Sequence, residues 1–171
     1  MTLELRTERL TLRQPVIGDF QDLHALTASP DMREHLPGFA SVEDSYKRLL
    51  GNLGGWATFG FGTFAVRERE TDDYVGNCGL FRMVRGLGSD FDDHPEAGWI
   101  IAQDRWGRGY ASEAMAAALS WFESVHGICK TNCMIAPGNV GSARIAQKLG
   151  YRPTRMAEHG GEPVRLYTRE S

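Results

Sequence analysis

A turn with two glycines, between a strand-like and a helix-like pattern, is the segment of this sequence with the clearest chemistry. Residues 106–111 read WGRGYA, and apolar residues then recur every three to four positions, as in an amphipathic helix. The first N–H groups of a helix have no partner inside the helix, and the helix dipole adds about half a positive charge there. Glycine lets the backbone approach a ligand and adopt positive φ. The turn is therefore suited to bind a phosphate or pyrophosphate.

Two known phosphate-binding motifs can be compared with this turn. A P-loop requires a lysine followed by serine or threonine after its second glycine, and the sequence has none at that point. A dinucleotide fingerprint requires a third glycine, where Ser112 stands, and an acidic residue about 20 positions further on, which is also missing. The turn matches neither motif, and ATP is kept as an alternative ligand to be tested.

Alternating strand and helix patterns surround the turn. Apolar alternation predicts strands at 10–13, 63–67, 74–81, 96–102, 130–135 and 164–167. Helices are predicted from 20, over 42–50 behind Ser41 as cap, over 111–126 up to Gly127, and from Asn139 to Gly150. We expect loops at the glycine-rich stretch 51–62 and at 85–95. Because no linker or repeat divides the sequence, we expect residues 1–171 to form a single mixed α/β domain.

Composition excludes several classes of protein. Nineteen basic and 22 acidic residues give a net charge of −3, without the basic excess of a nucleic-acid-binding protein. No segment approaches the ~20 apolar residues of a membrane helix, and the first residues do not resemble a signal peptide. Three cysteines and the acidic stretch 90–93 do not have the spacing of zinc or calcium sites. We expect a cytoplasmic protein with reduced thiols, no metal and no nucleic-acid or membrane partner.

Four stretches of the chain together resemble the GCN5-related N-acetyltransferase (GNAT) superfamily, and within it the ribosomal-protein N-terminal acetyltransferase (RimJ/RimL-like) branch. They are residues 6–13 (RTERLTLR), 74–79 (YVGNCG), 106–114 (WGRGYASEA) and 139–151 (NVGSARIAQKLGY), in the order typical of the family. The resemblance implies the acyl-CoA N-acyltransferase fold, an α/β fold. Its mixed, mostly antiparallel twisted sheet has helices on both faces and a splayed central strand pair. The implied reaction moves the acetyl group of acetyl-CoA to a primary amine, on a small molecule or a protein N-terminus, by direct attack in a ternary complex.

The resemblance also implies which residues bind the cofactor. The pyrophosphate would lie on the amides of residues 107–111, with the Ser112 hydroxyl as a further donor, and the pantetheine arm would pair with the backbone of residues 99–101. Asn139 would bond the pantetheine amide, although a helix cap is an equally good interpretation. Arg144, with Arg108 and Lys148, would face the adenosine phosphates. The predicted cofactor-binding residues are Trp99, Ile100, Ile101, Gly107, Arg108, Gly109, Tyr110, Ala111, Ser112, Asn139 and Arg144.

Attack of an amine on a thioester requires a base. Neutralising a lysine-like amine at pH 7 costs about 4.6 kcal/mol, whereas an α-amino group costs only about 1 kcal/mol. Glu96 matches a glutamate common in the RimJ/RimL-like branch and is the predicted base, directly or through water, with His94 as the alternative. Because a solvated glutamate is too weak a base, this role requires burial of Glu96.

A hydrogen-bond donor can assist the departure of the thiolate. Many family members place a tyrosine where this chain has Ala146, so the usual acid is missing. Ser142 matches the serine of the ribosomal branch and is the predicted donor to the sulfur, unless it only completes the helix cap. Since a thiolate with a pKa near 8.5 needs little assistance, this donor matters less than the base. An idle acyl-CoA-binding module is the alternative function, and a monomer or a homodimer is expected.

Overall fold

The computed structural model describes residues 3–30, 32 and 41–170. Within these ranges one eight-stranded sheet has the order β1-β2-β3-β4-β5-β6-β8-β7. The strands are β1 (Glu4–Arg6), β2 (Leu10–Arg13), β3 (Thr63–Glu68), β4 (Tyr74–Phe81), β5 (Glu96–Ile101), β6 (Thr131–Ile135), β7 (Arg152–His159) and β8 (Glu162–Arg169). The helices are α1 (Phe20–Ala28), α2 (Val42–Phe59), the one-turn α3 (Ser89–Asp92), α4 (Tyr110–His126) and α5 (Val140–Lys148).

The centre of the sheet is splayed. β5 and β6 are the parallel neighbours in an otherwise antiparallel sheet, and their register contains the single pair Glu96↔Asn132. Asn132 is buried, donates to the carbonyls of Asp90 and Phe91 (both 3.1 Å), and accepts from the Thr168 hydroxyl (2.8 Å). The two strands are thus held together at one end and separate beyond it. The fold predicted by the resemblance, including the splayed strand pair, is confirmed.

The two faces of the sheet have different cores. Because side chains alternate along a strand, Leu10, Leu12 and Val66 share one face and pack with Ala114 and Met115 of α4. On the opposite face, Ile100 of β5 packs against Leu26 of α1 and against Met32, which follows α1. This face also carries polar groups such as Asn77. Helices therefore cover both faces, and the face under α1 and α2 is the more polar one.

The predicted loop at residues 51–62 is wrong, because α2 continues through the glycines to Phe59. Its buried residues Ser45, Leu49 and Trp56 keep helical spacing across the glycines, and the Trp56 indole donates to the Thr63 carbonyl (3.0 Å). Tertiary packing of this stripe outweighs the low helix propensity of glycine, about 1 kcal/mol per residue. The helix ends only at Gly60, whose φ of 76° is left-handed.

Two strands and one short α-helix were also not predicted. β1 and β7 lie at the two edges of the sheet, and α3 interrupts the expected loop at 85–95. Every residue of β7 except Ala157 and His159 is exposed, so the strand carries no apolar alternation. Its strand geometry comes from pairing with β8, a contact that a local pattern does not encode.

Candidate active site

A cleft of about 580 Å3 opens where β5 separates from β6. A volume of this size is typical of cofactor sites. Its wall on one side is the end of β5 with the following turn, and on the other side the N-terminus of α5. The described lining consists of Met32, Trp99, Ile100, Ile101, Arg105, Trp106, Gly107, Gly109, Tyr110, Ala111, Ser112, Gly138, Asn139, Val140, Gly141, Ser142 and Ile145.

The edge of β5 that faces the cleft offers the backbone groups of alternate residues. The N–H of Ala102 donates to β4 (2.8 Å), whereas the carbonyl of Pro95 accepts from β6 (2.9 Å). Because backbone groups of successive strand residues point to opposite edges, even-numbered residues here face β4 and odd-numbered residues face β6. Trp99 and Ile101 therefore direct their N–H groups toward the gap, as a strand-like ligand would need.

Ile100 is oriented differently from its two neighbours. A Cβ on Gly76 of β4 would lie 2.0 Å from the Ile100 carbonyl oxygen, so this backbone group faces β4 and only glycine fits opposite it. The expected pairing of the Ile100 backbone with a ligand is thus wrong, because β4 already occupies that edge. Ile100 is nevertheless one of the residues that line the cleft.

The glycine turn has the conformation that the sequence predicted. Gly107 and Gly109 have φ of 74° and 79°, and Gly109 is the N-cap of α4. The Trp106 indole donates to the Ile101 carbonyl (2.7 Å) and so ties the turn to the end of β5. The hydroxyl of Tyr110 donates to Glu68 (2.7 Å), so its ring points into the fold. The turn therefore presents backbone N–H groups at the positive end of a 17-residue helix.

The opposite wall starts at the cap of α5. The Oδ1 atom of Asn139 accepts from the backbone N–H of Ser142 (3.0 Å), so Asn139 does cap the helix. The cap uses Oδ1 alone and leaves the Nδ2 amide as a donor at the cleft. Ser142 completes the cap through its backbone, which leaves its hydroxyl to face a ligand. Both residues can thus combine the structural and the functional role.

Glu96 lies where the splay begins and is 5% exposed. Its carboxylate accepts two hydrogen bonds from the guanidinium of Arg85, 2.8 Å from Nε and 3.0 Å from Nη2. It is buried, as the role of base requires, but Trp99 lies three residues away, about 10 Å along the strand. Partial burial and nearby Lys130 lower the pKa of His94. The described lining of the cleft includes neither Glu96 nor His94.

The polar face of the sheet next to Glu96 holds groups that the sequence analysis missed. Burial and the charge of Arg85 lower the pKa of Arg48, on α2, to about 10. Asn77 is 6% exposed and pairs in register with Ile100. Asn77 could have been noticed as a polar residue within the apolar pattern of β4. Arg48 could have been noticed because it is next to the buried Leu49 of α2.

Besides Glu96 and His94, the residues Arg108, Arg144, Ala146 and the exposed Lys148 do not line the cleft. Arg108 and Arg144 are exposed at the rim, consistent with contact to a solvated part of a ligand but not with a role deep in the cleft. Ala146 is fully buried under α5. Within residues 3–30, 32 and 41–170, no helix is long and apolar enough to cross a membrane, and no cluster of acidic, histidine or cysteine side chains could hold a metal ion.

Comparisons with known proteins identify the family. The model of the acetyltransferase (GNAT) domain matches residues 9–152. The chain is 26% identical to the uncharacterized N-acetyltransferase YnaD of Bacillus subtilis, over 88% of this chain and 83% of that protein. A crystal structure of an acetyltransferase from Agrobacterium tumefaciens superposes with a TM-score of 0.85 at 26% identity, over 99% and 95% of the two chains.

A more distant structure shares the fold. RimL, a ribosomal L7/L12 alpha-N-protein acetyltransferase, in complex with coenzyme A, superposes with a TM-score of 0.79 at 15% identity, over 98% of each chain. Since the family model spans most of the chain and the splayed sheet agrees with it, this protein belongs to the GNAT acetyltransferase family and is an acetyltransferase.

Proposed function

We propose that this protein transfers the acetyl group of acetyl-CoA to a primary amine, on a protein N-terminus or a small molecule, by direct attack in a ternary complex. The observation that supports this most is the order of groups along the cleft. An anion-binding turn at Gly107 and Gly109 is followed by the open edge of β5 at Trp99 and Ile101. A diphosphate joined to an extended pantetheine arm requires this order.

In this proposal the cofactor is held mainly by backbone groups. The diphosphate lies on the N–H groups of residues 107–111, with the Ser112 hydroxyl as an additional donor. The pantetheine arm pairs with the odd-numbered edge of β5 and receives a hydrogen bond from Asn139 Nδ2. Arg108 and Arg144, exposed at the rim, interact with the phosphates of the adenosine end. A structure of RimL, which shares the fold, contains coenzyme A.

The chemical step follows from the same placement. The lone pair of a neutral amine forms a bond to the thioester carbonyl carbon, and the N–H of Trp99 or Ile101 stabilises the oxyanion that develops. Collapse of the tetrahedral intermediate breaks the carbon–sulfur bond and expels the thiolate, to which the Ser142 hydroxyl donates. Before this attack the protonated amine gives one proton through water to Glu96, and the proton that the nitrogen loses on forming the amide passes to the thiolate, which leaves as the thiol. The products are an N-acetylated amine and coenzyme A.

The position of Glu96 favours proton removal through water rather than direct contact. The carboxylate is buried, accepts from Arg85 and lies about 10 Å along the strand from Trp99. Such a base contributes most for an alkylamine, because an α-amino group is already partly neutral at pH 7. We therefore propose that the acceptor binds with its amine near the polar face of β4 and β5. The cytoplasmic location and the monomeric or homodimeric state remain predictions.

The experiment that tests this function measures thiol release from acetyl-CoA with a panel of amines, including an α-amino peptide and a lysine-like alkylamine. Amine-dependent thiol release with formation of the acetylated product supports the enzyme. Binding of acetyl-CoA without turnover on any amine would instead support an idle acyl-CoA-binding module. A melting temperature raised more by ATP than by acetyl-CoA at equal concentrations would contradict the proposed cofactor.

A further inference from the structure

Arg9 immediately precedes β2 and lies outside the described lining of the cleft, yet it contacts the glycine turn. Its Nη1 atom donates to the Arg108 carbonyl oxygen (2.9 Å). Its Cζ atom lies 4.6 Å from the centroid of the Tyr110 ring. Its Nη2 atom is 3.6 Å from the place where a Cβ on Gly109 would stand. One guanidinium thus contacts the residues on either side of Gly109, namely the Arg108 carbonyl and the Tyr110 ring, and it does not line the cleft.

The geometry of the peptide bond gives this contact a functional consequence. In a planar trans peptide, the C=O of one residue and the N–H of the next point in opposite directions. The described residues contain no cis peptide bonds. A carbonyl of Arg108 held toward Arg9 therefore directs the N–H of Gly109 away from Arg9, and Gly109 lines the cleft.

Arg9 is itself held firmly in this position. Its Nε atom donates to Glu113 Oε2 (2.8 Å), and its Nη2 lies 2.6 Å from the same oxygen. The other oxygen of Glu113 accepts from the Arg9 backbone N–H (3.0 Å) and from the Thr7 hydroxyl (2.6 Å). Because Glu113 belongs to the first turn of α4, these bonds fix Arg9 to the helix whose N-terminus forms the anion site.

We propose that Arg9 is a positioning residue for the acetyl donor: it orients the peptide bond between Arg108 and Gly109 so that the amide of Gly109 is ready to bind the diphosphate. Two glycines with left-handed φ give the turn a large conformational freedom in the absence of such a contact. Fixing the turn before the ligand arrives lowers the entropy that binding must overcome. This inference rests on the proposed function, since it assumes a coenzyme A donor.

The test compares two acetyl donors in the Arg9→Met variant. Acetyl-CoA carries the diphosphate, whereas S-acetylpantetheine lacks it. We expect KM for acetyl-CoA to rise about tenfold with kcat changed less than about twofold, as for loss of one charge-assisted hydrogen bond. The kcat/KM for S-acetylpantetheine should equal that of the wild type. The control is Arg6→Met, which removes an exposed arginine paired with Glu4 (2.7 Å) and should change neither donor's constants.

Two further measurements separate positioning from a direct contact between the Arg9 charge and the phosphates. The KM for acetyl-CoA in Arg9→Met, divided by that in wild type, should be the same at low salt and in about 1 M KCl, where the Debye length is only ~3 Å. Arg9→Lys keeps the charge but lacks the planar guanidinium that presents separate nitrogens to the Arg108 carbonyl and to Glu113, so KM for acetyl-CoA should also rise. A ratio that falls to about one in salt, or a fully active lysine variant, would overturn the inference.

The outcomes also distinguish this inference from the proposed function. A wild-type protein that neither binds nor uses acetyl-CoA would refute the proposed function. A wild-type protein active with both donors, in which Arg9→Met lowers kcat/KM equally for both, would refute the role of Arg9 alone. If Arg9→Met does not fold, Arg9→Lys with the two donors gives the same comparison.

Discussion

Replacing Glu96 by glutamine separates its proposed role as a base from its structural role in the buried ion pair. The carboxylate and the Arg85 guanidinium have side chains that are 6% and 18% exposed. Glutamine keeps the shape and one acceptor but removes the charge. Removing one partner of a buried pair is destabilising by about 3–5 kcal/mol, and the remaining amide acceptor reduces this to an expected loss of about 2–3 kcal/mol in the free energy of unfolding.

The catalytic effect of Glu96→Gln depends on the acceptor amine. General-base catalysis typically contributes about 10²–10⁴-fold, and we expect a loss of kcat/KM in this range with an alkylamine. With an α-amino peptide the loss should be smaller, below about tenfold, because neutralising that amine requires only about 1 kcal/mol. Binding of acetyl-CoA, measured by calorimetry, should be unchanged. Thiol release is measured at a temperature at which urea unfolding shows every variant to be folded.

The matched control is Arg85→Gln, which breaks the same ion pair but keeps the carboxylate. We expect Arg85→Gln to lose comparable stability while retaining kcat/KM within about tenfold of the wild type. Equal losses of kcat/KM in the two variants would show that Glu96 acts only by holding β5 in place. Unchanged kcat/KM in Glu96→Gln with every amine would refute the assignment of the base, and His94 or solvent would take its place.

Four other predictions concern the cap of α5, the Ser142 hydroxyl, the stability at low pH and the helix α2. Asn139→Ala should lower the free energy of unfolding by about 1 kcal/mol, measured in urea, because it removes the cap of α5. Ser142→Ala should leave stability unchanged and lower kcat by less than about tenfold, since the hydroxyl does not take part in the cap. Burial acts to raise the pKa of Asp19, but hydrogen bonding led by Arg13 outweighs it, so its pKa is lowered. The stabilisation by Asp19 is therefore present above the unfolded-state pKa and is lost as the pH falls through the folded-state pKa. We expect the free energy of unfolding, measured in urea, to fall less between pH 7 and pH 3 in Asp19→Asn than in wild type. Gly54→Ala should stabilise by about 0.5–1 kcal/mol, because the site is exposed, helical and without neighbours within 4 Å of a Cβ, and a destabilised variant would contradict the helical assignment.

Elements with a local pattern could be predicted from the sequence. The bounds of β4 are those predicted, because Tyr74–Phe81 is an apolar run between turn residues. The start and end of α4 follow from a glycine turn before it and Gly127 after it. The glycine turn itself was predictable, because positive φ at Gly107 and Gly109 is a property of the residue type.

Elements that depend on tertiary contacts could not be predicted in the same way. α2 continues through glycines because its buried stripe packs on the sheet, and propensity alone indicates a loop. β7 is a strand because β8 pairs with it, although Pro153 and the exposed residues around it show no alternation. In both cases the deciding interaction lies outside the local window of sequence.

The candidate site also has some features that follow from local sequence and others that depend on tertiary contacts. The positive φ of Gly109 was predictable from the order of strand, turn and helix, whereas the role of Ile101 came from the resemblance to the family, and the binding roles of both residues stay predictions. The partners of charged residues were not predictable, because Glu96 and Arg85 are 11 positions apart and Arg9 and Arg108 are 99 positions apart. A single sequence contains no signal that pairs such charges across the fold.

The most direct test of the account is calorimetric titration of coenzyme A into wild-type protein and into Gly109→Glu. The variant places a side chain and a negative charge in a turn with φ of 79°, at the proposed diphosphate position. We predict measurable binding to the wild type and none to a folded Gly109→Glu variant, whose fold is checked by circular dichroism. Equal affinity of the two proteins, or no heat of binding with the wild type, would contradict the placement of the cofactor.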